Sequence, residues 1–213
     1  MIFHDHPQGS DAWLQSRAGV ITASRFKDAR AKLASGKPAV KCTGYAAQVA
    51  LERIAKRPVD KVFENWQMRE GKEQEPFARI AYEADTGNLV DEVGFITTDD
   101  GLFGYSADGM IEADGLLEVK TILSADVALK VIGHADLSEY LDQCHGGLWL
   151  TGRKWIDLVI WCPALEPIGK HYTRHRIMRN DDVINALEMD LIAFLKMTND
   201  NEKVFRASST LKA

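Results

Sequence analysis

Ser106-Ala107-Asp108-Gly109-Met110-Ile111-Glu112-Ala113-Asp114-Gly115-Leu116-Leu117-Glu118-Val119-Lys120-Thr121 is the stretch whose reading decides the fold. Two short apolar segments flank Glu112-Ala113-Asp114-Gly115, and the Asp-Gly step suits a tight turn, so a β-hairpin is predicted. Asp108 sits on the turn side of the first apolar segment; Glu118 lies between Leu117 and Val119 in the second. A strand alternates its faces, so Glu118 and Lys120 point one way and Leu117, Val119 and Thr121 the other. An acid and a lysine on an inward face are costly unless something pairs with them. A hard divalent cation held by the carboxylates of Asp108 and Glu118 is the most economical explanation. A surface hairpin carrying a Glu–Lys pair fits the same residues, and from them alone both readings stand.

Phosphodiester cleavage needs a polarised phosphoryl oxygen, a nucleophilic water and compensation of the leaving oxyanion. Asp108, Glu118 and the Val119 carbonyl supply metal ligands for that chemistry, and Lys120 an amine that orients or helps deprotonate water. Glutamate two residues before lysine is a weak signal, met by chance about once in a chain of this size. Glu70-Gly71-Lys72 is such a decoy, in a glycine-interrupted polar segment without strand character.

Working outward, 213 residues with 46% hydrophobic content fit one domain with a real core and exclude disorder. No apolar run approaches the roughly 20 residues that span a bilayer. Met1 to Pro7 lacks the basic start and apolar core of a signal peptide. Cys42, Cys144 and Cys162 are odd in number and form no C-x-x-C pair, which points to reduced thiols in a cytoplasmic setting and excludes a four-cysteine iron–sulfur cluster. The net charge of −5 argues weakly against a nucleic-acid partner, but its distribution is uneven. Arg17, Arg25, Lys27, Arg30, Lys32, Lys37 and Lys41 are opposed only by Asp28, while acids gather in Glu64–Glu83 and Asp181–Asp190. That pattern fits a focused phosphate-binding surface, or equally a solvated helix face.

Ser10 is expected to cap a helix that stops at Gly19, and Thr22 or Ser24 a second reaching about Leu33. Thr43 is expected to cap a third ending at Lys56, with Ala47, Ala50, Leu51 and Ile54 on one face. Asn65 to Asp85 is helical in composition, but Pro76 predicts two pieces or a kink, with Phe77, Ile80 and Ala81 as the apolar stripe and Gly87 as the stop. Strands are expected over 89–97, 102–106, 108–112, 116–122, 155–162 and 171–178, and helices over 124–132, 137–150 and from Asn180 or Asp181 to about Met197. The class is α/β or α+β, a mixed sheet flanked by helices in three layers.

Five blocks together resemble a known family. Trp13 to Ser24, Gly71-Lys72-Glu73-Gln74-Glu75, Ser106-Ala107-Asp108-Gly109, Leu117-Glu118-Val119-Lys120 and Tyr140-Leu141-Asp142-Gln143 fall in the order and spacing of the phage lambda exonuclease family, the YqaJ-type branch of the PD-(D/E)XK nucleases. They span roughly the first three-quarters of the chain. Ala107 departs from the broader superfamily, which has proline ahead of its aspartate; this loses rigidity but no ligand.

The resemblance implies a restriction-endonuclease-like core and one nuclease domain over 1–213. Residues 1–60 would be a helical DNA-end part, 61–180 the catalytic core and 181–198 a C-terminal helix. It implies Asp108, Glu118 and the Val119 carbonyl as metal ligands, Lys120 as the catalytic lysine, and Glu75 and Gln143 as further catalytic residues. Arg17, Ser24 and Ser106 would hold a terminal 5′-phosphate, a guanidinium fork completed by two hydroxyls. Met68 occupies the place of an apolar wedge that splits the terminal base pair. The implied activity is Mg²⁺-dependent 5′-to-3′ digestion of linear double-stranded DNA by two ions per site, with Mn²⁺ able to substitute. It would release 5′-mononucleotides and leave 3′ overhangs. The implied partners are a single-strand annealing recombinase and two further copies of the chain in a ring-shaped homotrimer, encoded by a phage or prophage and acting in the host cytoplasm.

Residue by residue there are plainer readings: Arg17 as a solvated helix-end cation, Ser24 as a cap, Gln143 as a core amide and Glu75 as an N-terminal helix acid. His171 and His175 share a strand face without a third ligand. Trp149, Trp155 and Trp161 suit a core or a subunit contact. An endonuclease of the same superfamily and a non-catalytic DNA-end binder are the alternative functions.

Overall fold

A computed structural model of the chain describes residues 1–59 and 66–207. The expected helix start at Asn65, the acid Glu64 and the polar tail beyond Ala207 lie outside the described residues. Element order is β1 (Ile2–His4), α1 (Asp11–Arg17), β2 (Ile21–Thr22), a 3-10 turn (Ala23–Arg25), α2 (Phe26–Ala29), α3 (Val40–Ala55), α4 (Trp66–Thr86), β3 (Phe95–Thr97), β4 (Phe103–Ser106), β5 (Gly109–Ile111), β6 (Gly115–Thr121), α5 (Ala125–Ala128) running into a π turn (Leu129–Gly133), α6 (Leu141–Thr151), β7 (Trp155–Trp161), a second 3-10 turn (Pro163–Ile168), β8 (Tyr172–Met178) and α7 (Asp181–Arg206).

The strands form two four-stranded mixed sheets, ordered β1-β3-β4-β2 and β5-β6-β7-β8, with helices packed against them. The α+β class expected from the sequence holds. Its first 60 residues are not purely helical, because β1 pairs with β3 and β2 with β4. Ala107 and Asp108 form the two-residue joint where the chain leaves the first sheet and enters the second. The hairpin β5–β6 pairs Gly109 with Leu117 and Ile111 with Gly115, and Glu112 takes the left-handed position of the loop at φ +47°.

β6 is the spine of the second sheet. It runs parallel to β7 and antiparallel to β5, and both of its faces are covered. Leu116 packs with Ile156, Leu158 and Ile160 against a core shared with α2, α3, α6 and α7; Leu117, Val119 and Val159 pack on the other face with Ala78 and Tyr82 of α4. The alternation read from the sequence is therefore the one that folds, and Glu118 is a polar residue set within an apolar face.

Ser10 caps α1, its Oγ accepting from the Trp13 amide, and Asn180 caps α7 by accepting from Asp182 and Val183. Five expectations are corrected. Thr43 lies inside α3, which begins at Val40 and buries Cys42, Tyr45, Ala46, Val49 and Ala50, leaving Leu51 exposed. Pro76 neither breaks nor divides α4 but sits on an exposed side of it, where continuous packing of Ala78 and Tyr82 on the sheet outweighs one missing hydrogen bond. Phe77 and Ile80 point outward, so they are not the buried stripe. The C-terminal helix runs past 198 to Arg206. The stretch from Leu89 to Gly94 makes only one bridge, Asp91 to Met110, before β3 begins.

Cys42, Cys144 and Cys162 are buried free thiols. No helix among the described residues is long and apolar enough to cross a membrane.

Candidate active site

Arg17, Ser24, Met68, Glu75, Ser106, Asp108, Glu118, Val119, Lys120 and Gln143, every site residue expected from the sequence, line one cavity of about 320 Å³. They come from α1, the first 3-10 turn, α4, β4 with its joint, β6 and α6.

At the centre, Glu118 is 1% exposed and both of its oxygens are engaged. Lys120 Nζ lies 2.8 Å from Oε1, and Gln143 Nε2 donates to the same oxygen. The Tyr105 hydroxyl donates to Oε2 over 2.8 Å. Asp108 Oδ2 accepts from the Val119 amide at 2.7 Å. The N–H and C=O of one strand residue project to the same side, so the Val119 carbonyl also faces Asp108, along the part of β6 that β5 leaves unpaired.

The close approach of α6 depends on two glycines. A Cβ on Gly146 would lie 2.6 Å from the Phe26 ring, and one on Gly147 2.8 Å from the Tyr105 ring. The missing side chains let the helix settle against β4 and carry Gln143, one turn earlier, onto Glu118.

The electrostatics are unbalanced. Burial, then the charges of Glu118 and Glu75, push the Asp108 carboxyl well above its usual range. Glu75 is raised by burial in the same direction, against the pull of Arg79. Burial alone would lower Lys120, but Glu118 and Asp108 outweigh it and raise its pKa, so the ammonium stays charged. Three carboxylates thus repel one another in a half-enclosed pocket that Lys120, Lys72 and Arg17 also line, a repulsion that a divalent cation would relieve. Among the described residues no three His, Cys, Asp or Glu side chains are gathered closely enough to hold a metal by themselves. The donor set that fits such an ion is therefore mixed: Asp108, Glu118 and a main-chain oxygen, all hard oxygen ligands.

A second cluster adjoins the first through Ser106. Arg17 Nη1 donates to Ser106 Oγ at 2.9 Å and Nη2 to Ser24 Oγ at 3.5 Å. The guanidinium lies between two rings, 4.3 Å from the Trp13 centroid and 5.1 Å from that of Phe95. Burial pulls its pKa down to about 10, partly offset by Tyr45 and Glu52, so it remains a cation at neutral pH. Arg17 is therefore no solvated helix-end charge. Ser24 makes no helix-capping bond, and its hydroxyl faces Arg17 and, at 3.4 Å, Thr22.

Sequence reasoning missed Tyr105, Gln8, Trp13 and Thr22 as wall residues. Trp13 Nε1 donates to Ser106 Oγ at 3.2 Å, and Gln8 Nε2 to the Ala107 carbonyl at 3.1 Å. Tyr105 was the one with a readable signal, a polar-tipped residue beside Ser106 whose alternation turns it to the Glu118 side.

Other expectations separate from the site. Among the seven cations between Arg17 and Lys41, Arg25 pairs with Asp28, Lys27 with Glu139, Arg30 with Asp142 and Asp190, and Lys32 with Asp190. The segment is thus largely neutralised by its own fold. Trp149 packs on Phe26 and Phe103, Trp155 under Arg176, and Trp161 against His171. His171 therefore serves the packing of that face, and His175 on the same strand joins no metal cluster among the described residues.

A family model described as YqaJ-like viral recombinase domain matches residues 12–154. The alkaline exonuclease LHK-Exo from Laribacter hongkongensis is similar at 32% identity, covering 92% of this chain and 97% of that one, with a TM-score of 0.80. The same protein in complex with dAMP gives 31% identity, 92% and 96% coverage and a TM-score of 0.81. A phage related exonuclease from Haemophilus somnus 129PT shares the fold, at 14% identity, 89% and 96% coverage and a TM-score of 0.68. No curated protein matches significantly.

Proposed function

The chain belongs to the YqaJ-like viral recombinase family, and from that premise we propose that it digests linear double-stranded DNA from a 5′ end, releasing mononucleotides and leaving a 3′ single-stranded overhang. Its homology with an alkaline exonuclease makes it a deoxyribonuclease. The observation that carries the direction of attack is the spacing of Ser106 and Asp108. Two residues apart, one belongs to the Arg17 cluster and the other to the carboxylate cluster, in the wall of one cavity.

In this reading Arg17, Ser24 and Ser106 take the terminal 5′-phosphate: the guanidinium supplies paired donors and the hydroxyls complete the cup. Asp108, Glu118 and the Val119 carbonyl would hold the cation, Mg²⁺ in this proposal, two ions per site with Mn²⁺ able to substitute. A bound divalent cation supplies Lewis-acid polarisation of the scissile phosphate and a water of lowered pKa. Lys120, charged beside Glu118, orients the attacking water and neutralises charge that builds on the phosphoryl oxygens. Gln143 and Tyr105 fix the plane of the Glu118 carboxylate, and Glu75 would add a further carboxylate to the cation site from α4. Met68, on the exposed rim of the cavity, wedges the terminal base pair apart.

A homotrimeric ring and a single-strand annealing recombinase complete the proposal. Support for enclosure is electrostatic: Arg25, Lys27, Arg30 and Lys32 are paired with acids of the same chain, which weakens the grip this basic segment could exert on phosphates over a long track.

The test is digestion with Mg²⁺ of 5′-phosphorylated linear duplex and of covalently closed circles, by the wild type, Glu118→Ala and Lys120→Ala. Linear DNA degraded, circles intact, and both variants slowed by about 100-fold or more is the expected result. Cut circles would make the protein an endonuclease, binding without turnover would make it an end binder, and unimpaired variants would overturn the site assignment.

A further inference from the structure

One face of α3 grips the strip of chain between Arg17 and Arg25. Glu52 Oε2 accepts from the Gly19 amide at 3.0 Å, and Arg53 Nε donates to the Gly19 carbonyl at 2.9 Å. The Tyr45 hydroxyl accepts from the Thr22 amide at 2.9 Å. Gln48 accepts from Arg25 at 2.7 Å and donates to Glu52 Oε1 at 3.0 Å. These four residues recur at helical spacing on the inward side of α3, with Tyr45 and Glu52 buried. None of them lines the cavity.

Gly19 is what lets the grip close. It adopts φ +77°, and a Cβ there would lie 2.7 Å from the Arg53 side chain, with the Arg53 backbone at 3.1 Å. The two anchored backbone points bracket the cup: Gly19 follows Arg17 by two residues, and Thr22 precedes Ser24 by two. A hydrogen bond weakens steeply once displaced by a few tenths of an ångström, and the Arg17–Ser24 contact is already 3.5 Å. Main-chain placement here therefore decides whether Arg17 and Ser24 can reach one phosphate together.

We propose that the Tyr45–Gln48–Glu52–Arg53 face of α3 is a positioning device that sets the preference for 5′-phosphorylated over 5′-hydroxyl ends, by fixing the main chain at Gly19 and Thr22. The inference rests on the reading of Arg17, Ser24 and Ser106 as the phosphate cup. Glu52 has a second effect, since its buried negative charge favours the charged form of Arg17.

The test is the ratio of initial digestion rates on 5′-phosphate and 5′-hydroxyl linear duplex, for wild type, Arg17→Ala, Tyr45→Phe and Glu52→Gln, each checked for wild-type circular dichroism. Tyr45→Phe keeps the ring and removes one acceptor; Glu52→Gln keeps the shape and replaces an acceptor with a donor. Each is expected to lower the ratio by about fivefold, the equivalent of one hydrogen bond, through the 5′-phosphate rate alone. The 5′-hydroxyl rate should stay within about twofold of wild type. A wild-type ratio near one, or an Arg17→Ala ratio equal to wild type, overturns the phosphate-cup reading and this inference with it. Loss of preference in Arg17→Ala alone, with wild-type ratios or equal losses on both substrates in the two α3 variants, overturns the inference and leaves the cup.

Discussion

The Tyr105 hydroxyl reaches Glu118 Oε2 over 2.8 Å inside the protein, where both residues are 1% exposed. With Gln143 and Lys120 on the other oxygen, the carboxylate is held from both ends. Removing one donor leaves a buried oxygen without a partner, which costs about 1–3 kcal/mol. Tyr105→Phe should therefore lower the thermal midpoint and reduce turnover more than DNA binding. Calorimetry beside a filter-binding and digestion series checks both.

Gly147→Ala should act on the same carboxylate from further away. The added methyl meets the Tyr105 ring at 2.8 Å, so α6 must withdraw and take Gln143 with it. Overpacking of this kind costs about 1–3 kcal/mol. Urea unfolding should report that loss, and digestion should slow even at temperatures where the variant is fully folded.

Asp108→Asn separates stability from function. It removes one of the three repelling carboxylates while keeping an acceptor for the Val119 amide. The metal-free variant should melt about 2–4 °C above the metal-free wild type, the shift expected for roughly 1 kcal/mol in a chain of this size. Wild type should gain further in melting temperature when Mg²⁺ is added, and the variant should not.

Asp190, which does not line the cavity, predicts an acid-side effect. Burial would raise its carboxyl, but hydrogen bonds from Lys32 and Arg30 outweigh it and hold it below the ordinary value. A depressed folded value gives stability that is present above the unfolded pKa of about 4 and lost as pH falls through the folded value. Asp190→Asn should therefore be less stable than wild type at pH 7, with the gap closing below about pH 4. Urea midpoints at pH 7, 5 and 3.5 measure it.

What could be read in the chain was what local alternation carries. Glu118 and Lys120 share a face because strand period alone requires it, and Ser10 and Asn180 cap because a small polar side chain precedes a helical run. Thr43 failed as a cap because packing of Cys42, Tyr45 and Ala46 draws α3 back to Val40. Pro76 failed as a break for the same kind of reason, since Tyr82 is anchored by its hydroxyl to buried Asp157 at 2.8 Å and holds α4 on the sheet. The basic run between Arg17 and Lys41 looked like a surface because its partners, Asp142, Glu139 and Asp190, lie more than a hundred residues away. Residue types at five places pointed to the site, and strand alternation beside Ser106 offered Tyr105, whereas the α3 grip becomes visible only once long-range contacts bring it together.

The central claim, that end recognition and cleavage share one pocket, is tested most directly by the first product from a linear duplex labelled on its 5′-phosphate. The account predicts that, with Mg²⁺, the label leaves as a mononucleotide in the first turnover, and that Arg17→Ala delays this release. Label retained while 3′-terminal nucleotides are released, or label leaving on longer oligonucleotides, would contradict it.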